Sequence, residues 1–474
     1  MSAPVATERV LATLNADGSR RWIRPKPSTG KFWHRRRAVA YGLMVAFVAI
    51  PFLRLNGKPL MLLDLPRREF TFFGTTFLPT DTLLLMLLGL SIVIGIFLLT
   101  ALFGRVWCGW ACPQTVYMEY LFRPLERLLE GGWNQSRAYD RERGRLHPRR
   151  LLKYAVYAVL AAILGNLFLA YFVGTDSIAQ WVTQSPFAHP VSFLVMAVTA
   201  GLVFFDFTYF REQTCLVACP YGRIQSVLLD RQSLIVAYDP NRGEPRSKPR
   251  DPLPLAGRRG DCVDCGACVV TCPTGIDIRD GLQMECIHCT QCADACDAVM
   301  AKVGKPAGLI RYTSREALAG HARHMLRPRT VLYPLAFALA FGGFLAALGM
   351  KPRADVTLLG AVGEPFTRSP DGTVVNQVRV KVANRSGDEH RYSVELLDAP
   401  GAKMIAPELP LAVAPGANAI TMLFVVLPAS AFHDGVRAVR FRISDGGAFR
   451  DEVAWSLRGP SEDETKEHAP GAPQ

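Results

Sequence analysis

Hydrophobic residues in this chain of 474 residues are concentrated in five runs, which polar and arginine-rich segments separate. A helix needs about 20 mostly apolar residues to cross the hydrocarbon core of a bilayer. The pattern therefore predicts a polytopic α-helical membrane protein with about five spans. The predicted spans are residues 38–53, 83–103, 152–173, 190–207 and 331–349, of which the first and fourth are short and interrupted. The polar arm before them lacks the pattern of a cleavable signal peptide, so we expect it to be retained.

The positive charge of the chain follows the predicted spans in a regular way. Arginine and lysine number 9 in residues 1–37, 3 in 55–82, 9 in 104–151, none in 174–189 and 17 in 211–330. Positive residues are enriched in the cytoplasmic loops of membrane proteins. The alternation predicts a multi-pass protein of the bacterial inner (cytoplasmic) membrane, with a cytoplasmic N-terminus and a periplasmic C-terminal domain. The same alternation explains the formal net charge of +13, because the positive loops would face membrane lipid. We therefore expect no nucleic-acid partner.

The C-terminal part of the chain has a different pattern, in which apolar and charged residues alternate. Val378 and Val380 flank Arg379, and the same period of two recurs around Phe441. Alternation of this kind between proline and glycine turns is typical of strands with one buried face. Residues 350–459 are therefore predicted to form an immunoglobulin-like β-sandwich. This segment contains no cysteine, so we expect it to serve docking and not redox chemistry.

The remaining segments connect these parts. Residues 115–129 interleave apolar and charged residues in the manner of an amphipathic helix on the membrane surface. A stretch rich in proline, glycine and arginine near residue 245 is typical of a linker. The predicted organisation begins with a basic cytoplasmic arm (1–37), membrane helices 1–4 with two CxxxCP motifs (38–230) and a linker (231–260). A two-cluster ferredoxin domain (261–301), a connector (302–330), membrane helix 5 (331–349), a β-sandwich (350–459) and a disordered tail (460–474) follow.

A doubled run of cysteines with the spacing C-x2-C-x2-C-x3-C lies between Cys262 and Cys296. In bacterial two-cluster ferredoxins with this spacing, the fourth cysteine of each run binds the other cluster. Cluster one is therefore predicted to bind Cys262, Cys265, Cys268 and Cys296, and cluster two to bind Cys286, Cys289, Cys292 and Cys272. Zinc sites or a disulfide scaffold are the alternative, but zinc sites usually pair two CxxC units across a longer gap. His288 lies between two ligands, and we expect it to tune a cluster by hydrogen bonding rather than to bind iron.

Two further cysteine pairs follow the second and fourth predicted spans. Both have the motif CxxxCP, at Cys108 and Cys112 and again at Cys215 and Cys219. Residues i and i+4 share one face of a helix, so each pair is predicted to present two sulfur atoms to one ion or acceptor. Thiolates favour Cu(I) or iron–sulfur centres. A redox dithiol and ordinary buried thiols at a helix end are the alternatives that stay open.

Three stretches of the chain resemble one known family: residues 108–115 (CGWACPQT), residues 210–223 (FREQTCLVACPYGR) and the doubled cysteine run. They are similar to the CcoG/FixG family of cytochrome c oxidase accessory proteins, which are membrane ferredoxin-like proteins related to NapH and NosR. The predicted spans and β-sandwich match as well. The resemblance implies two 4Fe–4S clusters, reduction of Cu(II) to Cu(I), and a role in assembling cbb-type cytochrome c oxidase. It implies candidate catalytic and copper-binding roles for Cys108, Cys112, Cys215 and Cys219.

The sequence thus predicts an iron–sulfur membrane electron-transfer protein. In the leading hypothesis it is a metalloreductase, a cupric reductase that passes single electrons through two clusters to copper at the CxxxCP thiols. The expected partners are cbb-type cytochrome c oxidase or its copper assembly factors, and an electron donor that no motif identifies. Two alternatives remain: a quinol-linked electron-transfer subunit of the NapH type, and a non-enzymatic scaffold for oxidase assembly.

Overall fold

The computed structural model describes most of the chain, which forms two compact units. The described residues are 12–13, 20–55, 57–66, 69–77, 81–142, 147–247, 259–321, 327–350, 352–360, 363–386, 388–447 and 449–460. One unit comprises Met1–Phe73 and Phe77–Leu345, and the other comprises Gly74–Thr76 and Ala346–Gln474. The predicted disordered tail, apart from Pro460, lies outside the described residues.

Helices make up most of the first unit. The α-helices, numbered α1 to α15 in chain order, are Lys31–Ala49, Thr82–Phe103, Val106–Trp110, Pro113–Tyr117, Arg123–Glu130, Trp133–Arg141, Pro148–Val173, Thr175–Trp181, Pro190–Phe205, Pro220–Leu228, Pro240–Gly243, Ala267–Val270, Gln291–Lys302, Arg315–Leu318 and Pro328–Gly349. Wider π-helical turns lie at Met118–Phe122, Asp206–Phe210 and Thr214–Ala218.

Among the described residues, four helices are long and apolar enough to cross a membrane. They are Thr82–Phe103, Pro148–Val173, Pro190–Phe210 and Pro328–Gly349. The predicted first span at residues 38–53 falls on α1 and the turn after it. That helix is not one of the four, because it begins at Lys31 and includes three consecutive arginines, 35–37. The prediction of a fifth span is therefore not confirmed.

Proline and glycine set the limits of two of these helices. Pro148 occupies the first position of α7, where its missing N–H and fixed φ suit a helix start. Gly174 follows its last residue with a φ of 80°. Gly104 ends α2 with a φ of 62°, and a Cβ there would lie 2.2 Å from the carbonyl oxygen of Leu234. Glycine is thus required where the chain leaves this helix, directly before the first CxxxCP motif.

The predicted linker and connector both contribute to a sheet. The strands, numbered β1 to β16, are Arg54–Leu55, Lys58–Pro59, Met61–Asp64, Glu69–Phe72, Thr75–Phe77, Ile235–Tyr238, Ile310–Thr313, Ala354–Leu359, Thr367–Arg368, Thr373–Asn384, His390–Leu397, Lys403–Ile405, Leu411–Val413, Asn418–Pro428, Val436–Ser444 and Arg450–Arg458. Strands β6 and β7 pair antiparallel. Val236 and Ile310 from this pair are buried in one hydrophobic cluster with Cys262, Cys268 and Cys286. The sheet therefore frames the ferredoxin segment instead of tethering it loosely.

The second unit is built from two antiparallel sheets. One has the strand order β12-β14-β10-β8, with β9 added to β10, and the other has the order β13-β11-β15-β16. Val378, Val380 and Phe441 are almost fully buried in the core of this unit. The predicted alternation of buried and exposed positions is thus confirmed in these strands.

The predicted surface helix of residues 115–129 is buried in protein at many of its positions. It is formed by α4, a π-helical turn and α5. Glu119, Arg123 and Glu126 are buried in protein, whereas the side chain of Leu128 is 75% exposed. Val116, Tyr120 and Phe122 of the same segment are buried as well, so charged and apolar positions both pack against protein, and buried partners of opposite charge on neighbouring elements pair with the charged ones.

Candidate metal centres

Five thiols from the two cysteine runs line one cavity in the first unit, and four of them, Cys272, Cys286, Cys289 and Cys292, form one group. Cys272 follows α12, Cys286 and Cys289 lie in the loop before α13, and Cys292 lies in its first turn. Cys292 interacts electrostatically with each of the other three thiols. Ile276 and other apolar side chains complete the wall of the cavity. The four cysteines of this group are the ones that the spacing assigns to cluster two.

A second group combines the last cysteine of α13 with the three that begin the first run. Cys296 interacts electrostatically with Cys262, Cys265 and Cys268. Cys265 is exposed to solvent, whereas Cys262 and Cys268 are buried. Cys268 also lines the cavity of the first group, so the two groups are adjacent. The fourth cysteine of each run therefore lies beside the other run, which is the exchange that the sequence predicts.

The chemistry of both groups suits 4Fe–4S clusters better than zinc ions. Four sulfur atoms that bind one zinc ion at about 2.3 Å must lie within about 4 Å of one another. Among the described residues, no group of three or more His, Cys, Asp or Glu side chains is close enough to share one ion. A cubane needs more widely separated thiolates, because each binds a different iron. Burial raises the pKa of Cys289 to about 11, so metal binding must displace the proton of this thiol.

The two CxxxCP motifs bring four more thiols together. Cys215 interacts electrostatically with Cys108, Cys112 and Cys219. Cys112 and Cys219 occupy equivalent positions, each directly before a proline that begins a helix, and both have extended backbone with ψ of 128° and 108°. Cys112 and Cys219 thus end the helical turn of their motifs, because a residue that precedes proline is disfavoured from the helical conformation. Each still interacts electrostatically with the other cysteine of its pair. The thiols meet across the two motifs, which we call the CxxxCP quartet.

Polar side chains that the sequence analysis did not single out surround one thiol of the quartet. The thiol of Cys108 donates to Oε1 of Gln225 at 3.0 Å. Nε2 of Gln225 donates to the hydroxyl of Tyr221 at 2.5 Å and to Oγ1 of Thr100 at 3.3 Å. Burial raises the pKa of Cys108 to about 11. The four-residue spacing of Tyr221 and Gln225 after the second motif, which places them on one helix face, was the signal that could have found them.

The quartet packs directly against the loop of cluster two. A Cβ on Gly109 would lie 2.5 Å from the carbonyl oxygen of Ile287 and 2.9 Å from Cα of Cys289. Only a residue without a side chain permits this approach. Because Gly109 follows Cys108 in the chain, the quartet and the cavity of cluster two are separated by a single backbone contact.

His288 supports this contact by hydrogen bonds on both sides. Its Nδ1 accepts from the backbone N–H of Arg105 at 3.2 Å, and its carbonyl accepts from the hydroxyl of Tyr312 at 3.0 Å. The same hydroxyl accepts from Nε1 of Trp110 at 2.9 Å. Burial lowers the pKa of His288 to about 3, so the ring is neutral. His288 thus hydrogen-bonds the chain that leads into the first CxxxCP motif.

A buried ion network fixes the helices around these sites. Arg211 is 2% exposed and makes a two-pronged contact with Glu126, at 3.1 Å and 3.2 Å. Lys153 of α7 donates to Glu130 at 2.7 Å, and Arg24 from the N-terminal arm pairs with Glu126. The cationic partners hold the pKa of Glu126 well below its usual range despite burial. The network connects Arg24 of the arm with α5, α7 and the segment before Cys215, so this part of the arm is fixed against the helices.

Three segments of the chain match described protein families. Residues 210–315 match a family described as "4Fe-4S dicluster domain", and residues 85–131 match one described as "4Fe-4S binding domain". Residues 344–460 match "IG-like fold at C-terminal of FixG, putative oxidoreductase". The protein therefore combines apolar helices of membrane-spanning length with ferredoxin-type domains and a C-terminal Ig-like domain of β-sheets. This combination defines an iron–sulfur electron-transfer protein of the membrane.

Relatives that match most of the chain identify the family. Protein RdxA of Cereibacter sphaeroides is 34% identical over 440 residues, which are 88% of this chain and 91% of that protein. Protein RdxB of the same organism is 34% identical over 392 residues, 78% of this chain and 81% of RdxB. Nitrogen fixation protein FixG of Rhizobium meliloti is 32% identical over 425 residues, 81% of each chain. The chain belongs to the FixG/CcoG family, as its motifs predict.

Proposed function

We propose that this protein is a cupric reductase that supplies Cu(I) for the assembly of cbb-type cytochrome c oxidase. The observation that supports the proposal most strongly is the contact of Gly109 with Cys289. It separates the soft thiols of the quartet from the cavity of cluster two by one backbone contact. No three of the described thiols are close enough to share one ion, but two thiolates suffice to hold Cu(I). Thiolates stabilise Cu(I) relative to harder ions. An acceptor bound at the quartet is therefore next to an electron donor.

The residues have distinct roles in this proposal. Cluster one is bound by Cys262, Cys265, Cys268 and Cys296, and cluster two by Cys286, Cys289, Cys292 and Cys272. When bound, the clusters supply one-electron chemistry. Cu(II) gains one electron at the quartet, Cys108, Cys112, Cys215 and Cys219, and the protein loses one electron from its clusters. The thiols that bind Cu(I) release their protons, and Gln225 orients the thiol of Cys108 until then.

The exposure of the cysteines supports one direction of electron flow. Cys265 is exposed, whereas Cys289 is buried. A cluster held by the group of Cys265 would be accessible to a soluble donor, whereas a cluster held by the group of Cys289 would lie next to the quartet and would supply the electron for Cu(II) there. The positive charge of the loops supports a cytoplasmic location for the arm and both clusters, in a multi-pass protein of the bacterial inner membrane. The β-sandwich is then periplasmic and docks the oxidase or its copper assembly factors.

Serine variants of the quartet test the proposal. Cys108→Ser and Cys215→Ser each replace a soft ligand by a hard one, so the affinity for Cu(I) should fall at least about 100-fold. Ala111→Ser is the matched control, since it adds a hydroxyl within the same motif and keeps all four thiols. In cells, the cysteine variants should have low cbb-type oxidase activity that added copper partly restores. Unchanged Cu(I) affinity and oxidase activity would favour the quinol-linked alternative.

A further inference from the structure

Helix α1 is fixed at its start by a residue of the ferredoxin helix. The carboxylate of Asp294 in α13 accepts the backbone N–H of Phe32 at 3.1 Å and that of Trp33 at 2.7 Å. These are N–H groups of the first turn, which have no partner within their own helix. A Cβ on Gly30 would lie 2.4 Å from Cγ of Asp294, so the approach requires glycine. The helix therefore enters the protein in a defined orientation next to the cluster-binding segment.

One turn later, Arg36 lies between the two redox sites. Its side chain is fully buried. Nε of Arg36 donates to the carbonyl oxygen of Gly109 at 2.8 Å. Gly109 is the residue after Cys108 in the first CxxxCP motif. On its other side Arg36 interacts electrostatically with Cys289. The guanidinium thus contacts the first CxxxCP motif and neighbours a thiol of cluster two.

The guanidinium of Arg36 lies over the ring of Tyr120, 5.5 Å from its centroid, but its two outer nitrogens have no hydrogen-bond partner among the described residues. Nη1 and Nη2 of Arg36 are buried and make no hydrogen bond within the described part of the chain, where no carboxylate forms an ion pair with Arg36 either. The nearby carboxylate of Glu119 is engaged by Arg123 and by Nε2 of Gln291. Buried donors of a cation that lack an acceptor are strongly unfavourable, even where another nitrogen of the same group is hydrogen-bonded. Its unused donors therefore point to an acceptor that the protein chain does not supply.

We propose that Arg36 is a positioning residue that donates hydrogen bonds from Nη1 and Nη2 to sulfur of cluster two and thereby raises its reduction potential. Hydrogen bonds to the sulfurs and nearby positive charge stabilise the reduced, more negative cluster. Cluster two then becomes the better acceptor of electrons from cluster one. Through Nε, the same side chain fixes Gly109 against the loop of Cys289. This inference rests on the proposed electron path from cluster one through cluster two to the quartet.

Redox titration of the anaerobically purified full chain, followed by electron paramagnetic resonance, tests this role. Arg36→Gln removes the charge and most donors. The equilibrium constant for electron transfer from cluster one to cluster two should fall about tenfold, which is the effect of one lost hydrogen bond to a charged group. Arg36→Lys retains the charge but has fewer donors in a different geometry, so it should lower the potential of cluster two measurably, by less than Arg36→Gln does. Arg35→Gln, one residue earlier on the exposed side of the helix, is the matched control and should leave both potentials unchanged.

The outcomes separate this inference from the copper proposal. A fall in the potential of one cluster, with iron content unchanged, supports the role of Arg36 even if the wild-type protein fails to reduce Cu(II). Equal potentials in the wild type and in the Gln and Lys variants, all with full iron content, overturn it. If Arg36→Gln does not fold, the Lys variant decides: its ammonium has fewer donors in a different geometry, so wild-type potentials in that variant also contradict the inference.

Discussion

Gly109 of the first CxxxCP motif packs its Cα against the backbone of Cys289, so that a Cβ at this position would lie 2.5 Å from the neighbouring carbonyl oxygen of Ile287. Two segments about 180 residues apart in the chain are thereby joined without a side chain between them. The consequence is a continuous covalent and van der Waals path from the thiol of Cys108 to the cavity of cluster two. The predictions below depend on this contact or on the elements that support it.

Replacing Gly109 by alanine should separate the quartet from the cluster-two loop. The new methyl group must push a backbone carbonyl away, and overpacking of this kind typically costs about 1–3 kcal/mol of unfolding free energy. Thermal unfolding in detergent and the rate of cluster reoxidation by Cu(II) should both show the effect. Gly201→Ala is the control, because a Cβ there meets no atom within 4 Å. Equal rates and stabilities in the two variants would refute the importance of the contact.

Substitution of Cys296 tests the exchange of the fourth ligands. The wild type should contain about eight irons per chain, in two clusters. Cys296→Ser should weaken or remove the cluster bound by Cys262, Cys265 and Cys268, because these are the thiols beside it. The cluster bound by Cys286, Cys289 and Cys292 should stay intact. Iron analysis and resonance spectra of the reduced protein distinguish the two, and loss of the second cluster alone would show that the runs bind separately.

The buried ion network should resist acid and depend strongly on Glu126. Because its cationic partners lower the folded pKa, the stabilising contribution of Glu126 is fully present above its ordinary value of 4.5 and is lost only as pH falls through the lower, folded value. Glu126→Gln leaves Arg211 and Lys153 without a charged partner at this position and should cost about 3–5 kcal/mol. Unfolding measurements at neutral pH give this difference.

An exposed ion pair provides the control for that measurement. Arg231, which is 77% exposed, pairs with Glu316 at 3.3 Å. Pairs of this kind contribute about 0–1 kcal/mol. Arg231→Gln should therefore unfold almost like the wild type. If Glu126→Gln lowered the free energy of unfolding as little as Arg231→Gln does, the network would not fix the helices.

The charge asymmetry of the loops predicts the sidedness of the protein. A phosphatase reporter fused after Gly349 should be active, because α15 would end in the periplasm. The same reporter fused near Gly260 should be inactive in the cytoplasm. The reverse pattern would place the cysteine runs in an oxidising compartment, where reduced cluster ligands are not expected.

Features that depend on local spacing could be predicted from the sequence. The spacing of the two cysteine runs predicts that the fourth cysteine of each run lies beside the other run. The period of two around Val380 predicts which face of its strand is buried. Features that depend on distant partners could not be predicted. Nothing in the local sequence indicates that Arg36 and Glu126 are buried, because their neighbours come from other elements. The matching positions of the two CxxxCP motifs after predicted spans allowed the four thiols to be placed on one side of the helices, but the spacing alone does not give the contacts between them, because these depend on how distant segments pack.

Single-turnover kinetics test the central claim, electron transfer from the clusters to copper at the quartet, most directly. The anaerobic protein is first reduced and freed of excess reductant, and is then mixed with Cu(II) while cluster absorbance and Cu(I) formation are followed together. In the wild type and Ala111→Ser, the clusters should become oxidised as one Cu(I) forms for each electron lost. In Cys108→Ser and Cys215→Ser, with both clusters intact, they should stay reduced on the same timescale. Reoxidation of the cysteine variants at the wild-type rate would contradict the account.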